Sequence, residues 1–225
     1  MSLVLHFHPL SSYSHKVLMA LYENETPFEA RSVNLGDAQA RAEYLKLSPF
    51  GKIPVLRDEA RDRTIIESTP IIEYLQMHAP GRVAFFPKDT DAAFEARLWD
   101  RVFDHYVHAP MQKIVGDRIR PEGVRDPHGV AEARATLKTA YDLFERRLGD
   151  HTFAAGAQFS VADCAAAPAL FYAECVEPYS KSHPRLAAYF EALSQRPSYL
   201  RLIAEAKPFF RYFPYSDVIP KRFLA

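Results

Sequence analysis

A surplus of charge of one sign is the first thing this sequence lacks. Lys and Arg total 28, Asp and Glu also 28, so the formal net charge at pH 7 is zero. That balance supplies no whole-molecule field for nucleic acid or an anionic membrane, although a local basic patch is still allowed. Long apolar runs are missing too, and none approaches the ~20 residues that a membrane span requires. The N-terminus, MSLVLHFHP, carries neither the basic region nor the long apolar stretch of a signal peptide. Cysteine is scarce: Cys164 and Cys175 are the only two. Within one helix their offset spans roughly 16 Å, too far for a disulfide. They are expected to pack as small apolar residues in a reducing compartment, which predicts a soluble, cytoplasmic protein.

What is present divides at a composition break. LVLHF (Leu3 to Phe7) alternates like a strand, and Val17, Leu18, Leu21 and Tyr22 then recur at helical spacing. Phe28 to Asn34 reads as a second strand, with a polar connector from Gly36. IPVL (Ile53 to Leu56) and TII (Thr64 to Ile66) read as two more, joined by the charged turn RDEARDR. STPIIEYLQMH opens with Ser and Thr and places Pro70 in its first turn, the marks of a helix start. HAPGRVAFFPKDTD, with two prolines, a glycine and no period, reads as a linker.

Beyond it every patterned segment is helical. Phe94, Leu98, Val102 and Tyr106 are spaced by four, as a helix face would be. Leu137, Tyr141, Phe144 and Leu148 mark another helix that stops at Gly149. Ser160 and Asp163 stand three apart in a capping-box arrangement, so Asp163 reads as structural rather than as a catalytic acid. Pro184 and Pro197 suit two further helix starts. The organisation expected is 1–79 as an α/β domain, 80–88 as linker and 89–225 as an all-helical domain with an aromatic tail. No internal repeat is present.

SSYSHKV after the first strand, PFGKIPVL, the pair ES before a helix, FSVADCAAAP and RPSY occur here in that order. In order and spacing the chain resembles a cytosolic glutathione transferase, of the serine-type, bacterial-like kind, to about Lys207. The resemblance implies a thioredoxin-like N-terminal domain followed by a helical-bundle C-terminal domain.

It also gives the hydroxyl-rich junction a use. Counting back five residues from Lys16, as the serine-type pattern implies, gives Ser11 as the catalytic hydroxyl, with Ser12 as the alternative. Read without the resemblance, Ser11 or Ser12 equally well caps the helix. A serine is too weak an acid to act as a base here, but it can donate to a thiolate and lower the thiol pKa. By the same resemblance, Ile53 and a cis Pro54 would pair with the cysteinyl backbone of glutathione. Lys52, with Gln39 sharing the task, would meet the glycyl carboxylate. Ser68 and Glu67 would take the γ-glutamyl carboxylate and ammonium. Ser12 is expected to contribute to glutathione binding as well. Around the electrophile, His8, Leu10, Tyr13 and Tyr106 are expected. Phe103, His105, Tyr106 and Met111 share the helix thought to face the site, about half of them as core. His6 and His8 lack a third ligand at metal spacing, so no metal is expected.

The reaction implied is attack of the glutathione thiolate on a small, mostly apolar electrophile, a detoxification chemistry. Alternatives are a glutathione-dependent dehalogenase, isomerase or peroxidase, or a non-catalytic binding module on the same fold. Glutathione serves as co-substrate and no bound cofactor is expected. The resemblance further implies a homodimer, with no nucleic-acid or membrane partner. The tail carries Phe209, Phe210, Tyr212, Phe213 and Tyr215, too apolar for a free end, so it is expected to fold back onto the protein.

Overall fold

The computed structural model describes residues 2–149 and 151–224. Four strands form one sheet in the order β2-β1-β3-β4. β1 (Leu3–Phe7) pairs parallel with β2 (Glu29–Ser32), and antiparallel with β3 (Val55–Asp58), which pairs antiparallel with β4 (Arg63–Ile66). A parallel pair needs a crossover, and α1 (Ser12–Glu23) supplies it. α2 (Ala38–Leu45) leads from β2 toward β3, and α3 (Ser68–His78) follows β4.

Strand alternation sends successive side chains to opposite faces. Leu5 and Leu56 pack into the main core with Val17 and Leu21 of α1 and Ile71 and Leu75 of α3. Val55, one residue on, turns the other way and joins Val33 and Tyr44 of α2 in a small separate cluster. β3 begins two residues later than IPVL suggests. Pro54 has no N–H to give a ladder, so the strand starts after it.

The remainder is helical: α4 (Thr90–Phe103), a π-helical turn (Asp104–His108), α5 (Ala109–Arg118), α6 (Pro127–Arg147), α7 (Val161–Val176), α8 (Pro184–Ser194) and α9 (Pro197–Ala206). α7 is the axis. Every residue from Val161 to Ala173 is buried, as expected of a helix that is apolar all round. It packs against α1 and α4, so it ties the helical part to the sheet domain. Its start is the expected capping box: Asp163 Oδ2 accepts the Ser160 N–H at 2.8 Å, and Ser160 Oγ accepts the Ala162 N–H at 3.3 Å. Asp163 Oδ1 accepts from the Ala154 N–H and the Tyr189 hydroxyl as well, so its carboxylate is fully occupied. Cys164 and Cys175 are both free and buried.

The four-spaced stripe of α4 does not face the core. Phe94 is 62% exposed, Leu98 39% and Tyr106 54%, while Ala93, Ala96, Trp99 and Phe103 are the buried face. Phe103 stacks on Phe144 of α6 with centroids 4.0 Å apart, and Trp99 packs against the same ring at a tilt. The tail is ordered and folded back, in short 3-10 turns (Lys207–Tyr212, Ser216–Val218, Lys221–Phe223). Phe210 and Phe223 pack on Phe171, and Phe213 on Tyr172, both of α7.

Candidate functional site

The site begins where β1 gives way to α1. Ser11 takes the N-cap position with extended backbone, and its Oγ accepts the Ser14 N–H at 3.2 Å. A hydroxyl that accepts through a lone pair keeps its hydrogen free to donate. Capping and donation to a ligand are therefore compatible in one side chain. Ser12 is buried, and its Oγ accepts from Gln112 Nε2 of α5 at 3.4 Å. Ser11, only partly buried, is the more open of the two.

The turn before α1 is held by its own neighbours. The His8 carbonyl accepts the Ser11 N–H at 3.0 Å, and His8 Nδ1 accepts the Leu10 N–H at 3.2 Å. The buried His15 ring donates to the Pro9 carbonyl at 2.6 Å. Tyr13 stacks on His108 with ring centroids 4.5 Å apart, and its hydroxyl donates to the Asp104 carbonyl at 3.4 Å. Burial, followed by the Asp104 charge, pushes the Tyr13 phenol far above its usual value, so it stays protonated.

Beneath this turn lies a buried charge cluster. Lys16 Nζ sits 2.6 Å from Asp100 Oδ1 and 2.8 Å from Asp104 Oδ2, and donates to Thr69 Oγ1 at 2.8 Å. Burial raises the Asp104 pKa, but the Lys16 ammonium and the His108 ring outweigh it and hold that carboxyl well below the usual range. Arg101 closes the cluster from the solvent side, bonding Asp100, Asp104 and Thr69 Oγ1.

Two further segments converge on the turn. In the first, Gly51 adopts φ 61°, where a side chain would be strained, and the Ile53–Pro54 bond is cis. The Lys52 carbonyl accepts from the Tyr44 hydroxyl at 2.6 Å and the Ser48 hydroxyl at 3.1 Å, which fixes the loop while the Lys52 side chain stays exposed. In the second, Glu67 stands before α3 with φ 69° and makes no side-chain cap bond. A non-glycine residue in that region costs about 1–3 kcal/mol, and such strain persists where the surroundings over-determine it. Its exposed carboxylate stands beside the buried Ser68.

These segments border one cavity of about 840 Å³. Ser11, Ser12, Lys52, Ile53, Pro54, Glu67 and Ser68 all line it, together with Leu10 and Tyr13. Gln39, His8 and Tyr106 are not among its lining residues. Gln39 is exposed on the first turn of α2, His8 is spent on the turn, and Tyr106 lies on the exposed side of the π-helical turn. His105, its neighbour, borders the cavity, as does Met111, whereas Phe103 is wholly core. Arg101, Asp104, Gln112 and Val115 were not legible as site residues, since only the packing of α4 and α5 on α7, and of α7 on α1, brings them there. The tail adds Tyr212, Phe213 and Pro214, and Arg118 holds it by donating to the Pro214 carbonyl at 3.1 Å.

Comparison with known proteins bears on the family and the fold. Residues 5–83 match the family model described as glutathione S-transferase, N-terminal domain, and residues 127–192 match glutathione S-transferase, C-terminal domain. Glutathione S-transferase 3 of Zea mays is 29% identical over 87% of this chain and 90% of its own length. A glutathione S-transferase of Silene vulgaris is 26% identical over 92% of this chain and 99% of its own. Among solved structures, a glutathione S-transferase from Methylobacillus flagellatus with glutathione bound superposes with a TM-score of 0.82 at 25% identity, covering 89% of this chain and 98% of that one. A glutathione transferase from Phanerochaete chrysosporium with oxidized glutathione gives 0.83 at 20% identity over 93% of this chain and 97% of that one, a likeness of fold.

Proposed function

The chain belongs to the glutathione transferase family, and on that premise we propose that it joins the sulfur of glutathione to a small electrophile, with the Ser11 hydroxyl holding the thiolate. One observation carries this reading: Ser11 Oγ accepts from Ser14, which leaves its hydrogen for a sulfur at the cavity edge. A free cysteine thiol has a pKa of about 8.5, so only a few per cent is thiolate at pH 7. Lowering it by about two units requires roughly 2.7 kcal/mol in favour of the charged form. A hydrogen bond to a charged acceptor supplies ~1.5–3 kcal/mol and the start of α1 up to ~1 more. The thiol proton leaves to solvent, and the sulfur lone pair then bonds to the electrophilic carbon. That carbon releases a leaving group with its electron pair or, at an activated double bond, gives up the π pair to a neighbouring atom that takes a proton from solvent.

In this reading glutathione lies along the first domain. Its glycyl carboxylate meets Lys52, its cysteinyl backbone pairs with Ile53, and its γ-glutamyl ammonium meets Glu67. The carboxylate beside that ammonium falls at Ser68, where free N–H groups of α3 favour an anion. Leu10, Met111, Val115, Ile119 and Phe213 give the other half of the cavity an apolar wall, which suits an apolar second substrate. No bound cofactor enters the scheme.

The same reading includes a homodimer in the cytoplasm. Met77 on α3 and Phe94 and Leu98 on α4 are exposed apolar side chains on the two helices that the Glu73–Arg97 ion pair joins. Large exposed apolar patches mark association surfaces. Among the described residues no helix is long and apolar enough to cross a membrane. Calorimetric titration tests the main claim: glutathione should bind between micromolar and millimolar, about −8 to −4 kcal/mol. No binding up to tens of millimolar would overturn it.

A further inference from the structure

Arg101 lies on α4, outside every motif that marks the first domain, yet it borders the cavity at the start of α3. Its Nη2 donates to Thr69 Oγ1 and Asp104 Oδ2, and Nη2 and Nε both reach Asp100 Oδ2. These bonds take one edge of the guanidinium and leave Nη1 without a hydrogen bond or ion pair among the described residues. The side chain is 45% exposed, so the remaining edge is open. Thr69 is the second residue of α3, next to Ser68 and two residues after Glu67.

The charge arithmetic is specific. Lys16 and Arg101 are two cations, Asp100 and Asp104 two anions, so the cluster is neutral as a whole. Lys16 is fully buried, so the cation that the cluster presents to the cavity is Arg101. Glu67, which lines the same cavity, presents an anion. Arg101 reaches Thr69, two residues after Glu67, so both charges stand at the start of α3. One cation and one anion at the same end of one cavity complement a zwitterionic α-amino acid, which carries an ammonium and a carboxylate on a single carbon. A planar guanidinium held in place by carboxylates is preorganised for a carboxylate in a way a lysine is not.

We propose that Arg101 is a glutathione-binding residue supplied by the helical domain, taking the α-carboxylate of the γ-glutamyl group together with Ser68. The inference rests on the proposed function, because it needs glutathione in the cavity. It makes the ligand a bridge between the two halves of the molecule: Glu67 and Ser68 belong to the sheet domain, Arg101 to α4.

The test compares two ligands on the full-length protein. One is glutathione. The other is 4-aminobutanoyl-cysteinylglycine, which is glutathione without the α-carboxylate. Wild type should bind the analogue roughly ten- to a hundredfold more weakly, the range expected for losing a charge-assisted bond. Arg101→Gln should weaken glutathione by a similar factor and leave the analogue within about twofold. Its glutathione KM should rise with kcat nearly unchanged. Arg101→Lys keeps the charge without the planar fork, and should fall between wild type and Arg101→Gln for glutathione only. If Arg101→Gln does not fold, the lysine variant carries the same comparison. Equal losses for both ligands, or none for either, would overturn the assignment by making Arg101 purely structural. Wild type binding neither ligand would instead overturn the functional reading on which it rests.

Discussion

Lys16 Nζ lies 2.6 Å from Asp100 Oδ1, joining α1 to α4 with both side chains wholly shielded from solvent. The contact is an ion pair more than a directed hydrogen bond, and Asp104 and Thr69 complete the shell around the ammonium. Removing one partner of such a pair leaves an uncompensated buried charge. Lys16→Met should therefore destabilise the protein by about 3–5 kcal/mol. Urea unfolding measures it, and a midpoint within error of wild type would show that the cluster contributes nothing.

Ser11→Ala removes two things at once, the cap and the free hydroxyl hydrogen. Lost capping should cost about 1 kcal/mol of stability. Lost donation should lower turnover roughly ten- to a thousandfold and weaken the ultraviolet absorbance of bound thiolate, with glutathione affinity close to wild type. Ser12→Ala should do less, since Ser12 is the more buried of the two and already accepts from Gln112. A larger effect at Ser12 would move the catalytic role by one residue.

Glu67 trades stability for its position. Glu67→Gly relieves about 1–3 kcal/mol of backbone strain against about 0.5–1 of added chain entropy. The unfolding midpoint should hold or rise while glutathione affinity falls roughly tenfold or more, as expected on losing a charged hydrogen-bond partner. A clear loss of stability would mean the carboxylate has a structural role.

Stability should fall as the pH is lowered from neutral. Burial pulls His15 down to about 4, although its bond to the Pro9 carbonyl opposes this. Between about 6.5, the unfolded value, and that value the unfolded chain binds a proton that the folded one refuses, so folding weakens as pH falls. Asp104, depressed in the fold, adds stability above the ordinary carboxylate value of about 3.9 that is lost below it. Urea midpoints should drop from pH 7 to pH 4, with a shallower slope in His15→Gln. A flat profile over that range would contradict the His15 assignment, and no further drop below pH 4 would contradict that of Asp104.

Tyr212 separates the tail's packing from its place at the cavity. It is 65% exposed and yet lines the cavity, whereas Phe213 beside it is buried on Tyr172. Tyr212→Ala should leave stability within about 0.5 kcal/mol and shift the KM for the electrophile without changing glutathione affinity. Phe213→Ala should cost about 3–5 kcal/mol as a core truncation. Unaltered kinetics for several electrophiles in Tyr212→Ala would remove Tyr212 from the electrophile's part of the cavity.

Much of this molecule was legible in the residues themselves because the deciding interactions are local. The cap of α1 runs from Ser11 to Ser14, the capping box of α7 from Ser160 to Asp163, and Pro70, Pro184 and Pro197 stand in the first turns of their helices. Contacts three or four residues apart are written in sequence order. The facing of α4 was not, because spacing by four identifies a helix but not which side meets the core. Trp99 and Phe103 won that side by packing on Phe144, which sits on a different helix. The helical wall of the cavity was hidden for the same reason. Thr69 meets Arg101 across 32 residues and Ser12 meets Gln112 across 100, and no local pattern sets such pairings. Docking of α7 onto α1, and of α4 and α5 onto α7, decided them, because burying the apolar faces of those helices together fixes which polar side chains share the space between.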